Sequence, residues 1–203
     1  MWAITDKGIS RLKSEGERLG RAVDVELRGP RTNGSDSDEV GDLEDIAEEY
    51  AATFKQKVLS KLLDLSADQF EQFAASLLKA FGFQKIVVTG KRGDGGIDGN
   101  GQLRVGLATI RAAFQCKRWQ NSVGSKEVQA FRGAIQGQFE QGYFFTTSTF
   151  TKAAQHESIK MGAAPVILFE GEQIVEIMIE KGVGIKRRPI EVYEDQLEQL
   201  FET

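Results

Sequence analysis

From Ser66 onward the sequence keeps changing its hydrophobic period, and the order of those changes limits the folds open to it. Phe70, Phe73, Leu77, Leu78 and Phe81 recur at helical spacing behind a Ser66–Gln69 capping-box pattern, and Gly82 ends the run. Lys85-Ile86-Val87-Val88-Thr89 is a β-branched strand, and a glycine-dense turn occupies Gly90 to Gly101. Leu103 to Ile110 reads as a poorly patterned strand or hairpin, and Arg111 to Trp119 as a second strand. Val123–Phe139, Thr151–Met161 and Glu172–Lys181 read as helices, separated by strands at Tyr143–Thr147 and Pro165–Phe169. The order α-β-β-β-α-β-α-β-α predicts an α/β domain with a mixed central sheet flanked by helices.

Upstream of Ser66 the pattern is different. Thr5 is placed to cap a short helical run carrying Ile9, Leu12 and Leu19, a piece too small for a core of its own. From Arg28, proline, glycine and serine give way to acids, with eight acids and no base between Asp36 and Glu49. This predicts a linker running into an acidic helix from about Leu43 to Leu63. A calcium loop is excluded, because Val40 and Ala47 stand at loop positions 5 and 12, where ligands belong. The expected organisation is an N-terminal piece at 1–27, an acidic linker and helix at 28–64, the main domain at 65–183 and a C-terminal extension at 184–203.

Composition narrows the class. Thirteen Phe and two Trp in 203 residues supply too much apolar surface for a disordered chain, and a single cysteine excludes a disulfide scaffold. No apolar run is long enough to span a bilayer, and the opening MWAITDKGIS lacks the apolar core of a signal peptide. A soluble cytoplasmic protein with no membrane contact is expected. The net charge of −4 argues against a generally basic nucleic-acid binder, yet the charge is segregated. Residues 79–132 carry ten bases against Asp94, Asp98 and Glu127, a net +7 between two acidic flanks. That stretch is able to face a polyanion, or it is a chance excess on solvated surfaces.

Histidine chemistry is nearly excluded, since the single histidine, His156, sits in a polar helical context. Cys116 lies between polar neighbours in a strand, and alternation turns it into the core. No serine elbow, zinc cluster or phosphate loop is present. What remains is Asp98 in GDGGIDG, and Gln115 with Lys117 two apart on one strand face, opposite Phe114, Cys116 and Arg118. A carboxylate, an amide oxygen and a lysine can together hold a hard divalent cation and a water beside a phosphate. An exposed strand face beside a mobile hairpin explains the same residues without chemistry.

These residues belong to a longer pattern. Leu65-Ser66 with Phe70-Glu71, then GDGGIDG (93–99), QCKRW (115–119), EVQAFRGA (127–134), FFTTSTFTKAA (144–154) and the closing VILFEGEQIVEIM resemble, in this order, the catalytic domain of Mrr-type (type IV) restriction endonucleases. That family is a branch of the PD-(D/E)xK nuclease superfamily. The resemblance implies a restriction-endonuclease-like core that hydrolyses DNA phosphodiesters with Mg²⁺, with Mn²⁺ as a substitute. Asp98 matches the metal-binding aspartate, and Gln115 the second ligand, where most of the superfamily has an acid and the Mrr branch has glutamine. Lys117 matches the catalytic lysine, and Glu71 a helix glutamate that completes the metal shell. Arg92, Arg118, Trp119, Gln129 and Lys152 are candidate DNA contacts, as are Thr146 and Thr147, while Asp94 reads as a turn former.

Residues 2–12 resemble the last strand and helix of a winged-helix domain, so the sequence reads as a shortened relative or a fragment of a longer one. The implied partner is double-stranded DNA, methylated or otherwise modified, and cutting both strands implies a homodimer. The competing readings are a repair or junction-processing nuclease on the same fold, a decayed nuclease that only binds DNA, and a small-molecule or protein-binding domain.

Overall fold

A computed structural model describes residues 36–90 and 96–191, together with Tyr193, Leu197, Leu200 and Phe201. The run expected to begin at Thr5, and Asp94, lie outside the described residues. The chain divides into two compact units, Met1–Ala47 and Glu48–Thr203. Helix α1 runs over Asp36–Asp64, so the acidic text expected to be linker is helical from Asp36. Acids cluster at its N-terminal end, where the helix dipole favours negative charge, and charge density alone therefore misread them as linker. Among the described residues no helix is long and apolar enough to cross a membrane.

The second unit is built on five strands: β1 Gln84–Val88, β2 Gly99–Val105, β3 Ala108–Lys117, β4 Gln141–Thr146 and β5 Val166–Phe169. They lie in the order β1-β2-β3-β4-β5, antiparallel through β3 and parallel from β3 to β5. This is the mixed sheet expected from the sequence. Helix α2, Ala67–Ala80, carries the anticipated capping box, with the Gln69 amide on Ser66 Oγ at 3.1 Å and the Ser66 amide on Gln69 Oε1 at 2.8 Å. Gly99 and Gly101, expected within a turn, instead open β2. A Cβ on Gly99 would stand 2.3 Å from the Phe114 ring and 2.5 Å from the Val87 carbonyl oxygen. Glycine is there for close strand approach rather than for turning.

Because strand side chains alternate, β3 and β4 feed two cores at once. Ala112, Phe114, Tyr143 and Phe145 pack with Val58 and Leu62 of α1, with α2, and with Ile174, Val175 and Met178 of helix α5, Gly171–Lys181. Ala113 and Phe144 face the other way, toward helices α3, Ser125–Ile135, and α4, Lys152–Ser158. Phe144 meets Phe131 and Phe150 edge-on, at centroid distances of 5.7 and 5.4 Å. On the opposite face Phe145 stacks on Phe169 at 5.0 Å. Each such buried phenylalanine contributes about 1.5–3 kcal/mol.

Helices α3 and α4 are tied by Arg132, whose guanidinium bonds the Glu157 carboxylate and its main-chain carbonyl. Arg132 is buried and Glu157 nearly so. Arg132→Ala leaves the Glu157 carboxylate without its counter-ion and is expected to cost about 3 kcal/mol, the scale for breaking a buried pair. Urea unfolding measures this, and an unchanged midpoint would show the pair to be dispensable.

Candidate active site

The β2–β3 ladder ends where Gly99 faces Phe114. Beyond it, Asp98 is bonded to both neighbours of Gln115. The Asp98 amide donates to the Phe114 carbonyl at 2.9 Å, and the Cys116 amide donates to Asp98 Oδ2 at 2.7 Å. The Thr89 amide reaches the Asp98 carbonyl at 2.8 Å, and Thr89 Oγ1 donates to the Ile97 carbonyl at 3.0 Å. Asp98 is thus pinned from β1 and β3 together.

Gln115 is 5% exposed. Among the described residues its Oε1 is a buried side-chain polar atom with no hydrogen-bond partner. Gly96 explains how the amide fits: its φ is +91°, and a Cβ there would lie 2.2 Å from Gln115 Nε2. A glycine in the left-handed region therefore leaves space that the Gln115 amide fills. Sequence reasoning missed this role, although the dense glycines of the 93–99 motif were its signal.

Glu71 and Lys117 act on the same point of β3. Both carboxylates, Asp98 more than Glu71, influence the Cys116 thiol, and Lys117 opposes them. Glu71 is half-buried on α2, and Lys117 closes β3 with its Nζ 5.7 Å from the Trp119 ring centroid. Gln115 and Lys117 thus stand at the end of β3 with Asp98 bonded to that strand, and Glu71 is near enough to add to the raising of the Cys116 thiol. Asp98, Glu71 and Gln115 offer oxygen donors only, which suits a hard cation such as Mg²⁺ that takes one or two carboxylates and fills its shell with water and phosphate. Among the described residues no three acids, histidines or cysteines form a metal cluster. The donor set fits a cation shared with substrate, and the orphaned Gln115 oxygen is the observation that favours one.

The other nominated residues fare differently. Arg118 donates to the Leu63 carbonyl at 2.6 Å and so holds the last turn of α1. Thr146 and Thr147 are buried and give their hydroxyls to the Lys117 and Trp119 carbonyls, both at 2.8 Å, so their hydroxyls serve the fold. Trp119 is 39% exposed, and Gln129 and Lys152 are exposed on α3 and α4. Arg92 lies outside the described residues. The +7 segment is also partly consumed internally: Arg132 pairs with Glu157, and Arg111 is forked onto Glu140 at 2.6 Å.

Desolvation is the largest cause raising the Cys116 thiol well above its ordinary value, with Asp98 and Glu71 adding to it. A raised value means that the thiol stays protonated through neutral pH. Iodoacetamide is accordingly expected to label the native protein at pH 8 far more slowly than the urea-unfolded chain. Equal labelling rates would mean that the sulfur is neither desolvated nor flanked by acids.

Comparison with known proteins places the chain in a family. The catalytic-domain model of Mrr restriction endonucleases matches residues 62–178. The type IV methyl-directed restriction enzyme EcoKMrr of Escherichia coli (strain K12) is 34% identical over 183 residues, covering 84% of this chain and 58% of that protein. Among solved structures, the DNA modification-dependent restriction endonuclease AspBHI matches with a TM-score of 0.53 and 28% identity, over 78% of this chain and 42% of that one. The chain thus spans somewhat more than half the length of its curated relative. With more than half of its residues inside the family match, and with the restriction-endonuclease-like sheet that the motifs implied, the chain belongs to the Mrr-type restriction endonuclease family.

Proposed function

We propose that this protein is a metal-dependent endonuclease that hydrolyses phosphodiester bonds in modified foreign DNA. The observation that carries the reading is the buried, unpartnered Gln115 Oε1, one residue before the Cys116 amide that holds the Asp98 carboxylate. A buried acceptor left unpaired costs about 1–3 kcal/mol, a cost that a bound cation would remove. The methyl-directed and modification-dependent relatives support the choice of substrate.

Asp98 and Gln115 would hold Mg²⁺ (or Mn²⁺), with Glu71 as a further oxygen donor, and the bound ion would supply positive charge at the scissile phosphate. The chain's own residues account for the rest of the chemistry. The Cys116 and Asp98 amides fix the Asp98 carboxylate against β3, so no reorganisation is needed when substrate arrives. Lys117, two residues from Gln115 on the same strand, orients the attacking water and offsets charge growing on the phosphate oxygens. Cleavage of both strands needs two such sites, so a homodimer on DNA is part of the proposal.

Methylated supercoiled plasmid is expected to be nicked with Mg²⁺, left intact with EDTA, and cut faster than its unmethylated counterpart. Asp98→Ala and Lys117→Ala should each lower the rate at least about 100-fold, the scale for losing one electrostatic group. Nicking that persists in both variants would remove these residues from the mechanism, and equal cutting of the two plasmids would argue against a modified substrate.

Gln115→Glu gives a second test that does not read activity. The variant buries a new carboxylate, so its metal-free Tm is expected to fall below that of the wild type. Its Mg²⁺-induced rise in Tm should then exceed the wild-type rise. Equal metal-induced shifts would exclude Gln115 as a ligand.

A further inference from the structure

Immediately beyond Lys117 the chain turns through Arg118–Ser122 before the bridge that pairs Val123 with Phe150. Four consecutive hydroxyls, from Thr146 at the end of β4 to Thr149, hold this corner. Thr146 Oγ1 donates to the Lys117 carbonyl at 2.8 Å, Thr147 Oγ1 to the Trp119 carbonyl at 2.8 Å, and Ser148 Oγ to the Gln120 carbonyl at 3.0 Å. Ser122 Oγ and Thr149 Oγ1 share a hydrogen bond at 2.8 Å. A surface loop ordinarily leaves such carbonyls to water. Here the backbone is fixed while Trp119, Gln120 and Asn121 remain exposed. Residues 118–122 line an open surface hollow of about 470 Å³.

Resting on the nuclease reading above, we infer that this corner is a nucleobase platform, on which Trp119 stacks a base unpaired from the strand next to the scissile phosphate. The indole is two residues from Lys117, whose ammonium stands 5.7 Å from the ring centroid. Lys117 at the phosphate and Trp119 at the adjoining base would therefore engage one nucleotide step. Gln120 and Asn121 bring amide donors and acceptors able to meet a base edge. A stack is tolerant of base identity because every base has a π-face, so this platform would position the strand more than read its sequence. The rigid backbone is what makes an exposed indole useful here, since little conformational entropy remains to be lost on stacking.

The test uses the full chain carrying Trp2→Phe, which leaves Trp119 as the single indole. Binding is measured in EDTA, so that cleavage does not interfere, to short duplexes with one unpaired base, with an abasic residue at that position, or fully paired. The unpaired-base duplex is expected to quench Trp119 fluorescence and to bind more tightly than its abasic counterpart. Trp119→Ala should weaken that binding roughly 5- to 150-fold, the range for one base–aromatic stack, and Trp119→Phe should recover part of it. The salt dependence should be unchanged, because no phosphate contact is lost. Unquenched fluorescence together with equal affinity of the alanine variant would overturn the platform, even if plasmid is still cut. Absence of any DNA binding would overturn it as well. Quenching and a Trp119-dependent affinity in a protein that never cuts with Mg²⁺ would sink the nuclease reading and leave the platform standing.

Discussion

Where β2 can no longer pair with β3, the side chain of Asp98 takes over from the backbone. The Cys116 amide finds Asp98 Oδ2 at 2.7 Å, while the Asp98 amide still reaches the Phe114 carbonyl. An unpaired amide at that point would weaken the strand whose alternate residues supply both cores. The same bond therefore closes the sheet and aims the carboxylate. Its neighbours are shaped around it: Gly99 lets Phe114 lie against β2, and Gly96 makes space for the Gln115 amide. Stability and site geometry here depend on one short stretch, residues 96–99 against 114–116.

Much of this was legible in the sequence because its signals were local. Helical spacing in α2, β-branched residues in β1 and the capping box at Ser66 each depend on neighbours within a turn or two. The grouping of Glu71, Asp98, Gln115 and Lys117 rests on the resemblance, and local pattern alone offers only Asp98 and the Gln115–Lys117 pair on one strand. What escaped the sequence depends on long-range contact. The glycines at 99 and 101 look like turn residues until Phe114 and Ile86 are seen beside them. Thr146 and Thr147 look like phosphate contacts until the Lys117 and Trp119 carbonyls take their hydroxyls. The start of α1 lies earlier than its composition suggests, because acids at a helix N-terminus and acids in a linker look the same in sequence.

The segregated charge changes meaning in the same way. Of the bases that give residues 79–132 their excess, Arg132 is buried on Glu157, Arg111 is paired with Glu140, and Arg118 holds the end of α1. These charges organise the domain and contribute less to an external field than a linear count suggests. Lys79, Lys85, Arg104 and Lys126 remain exposed. They are spread over α2, β1, β2 and α3.

The neutral amide at 115 fits that economy. A carboxylate there would add a negative charge near Asp98 at a residue that is itself buried, and without a cation the two would repel. Glutamine avoids that repulsion at the smaller cost of one unsatisfied carbonyl oxygen. The consequence, on the proposed reading, is a site that folds stably without metal but holds it weakly, so that the phosphate of bound DNA must complete the shell. Metal and DNA would then each raise the affinity of the other, since each supplies what the other lacks. Such coupling would confine hydrolysis to the moment when a phosphate is already seated beside Lys117.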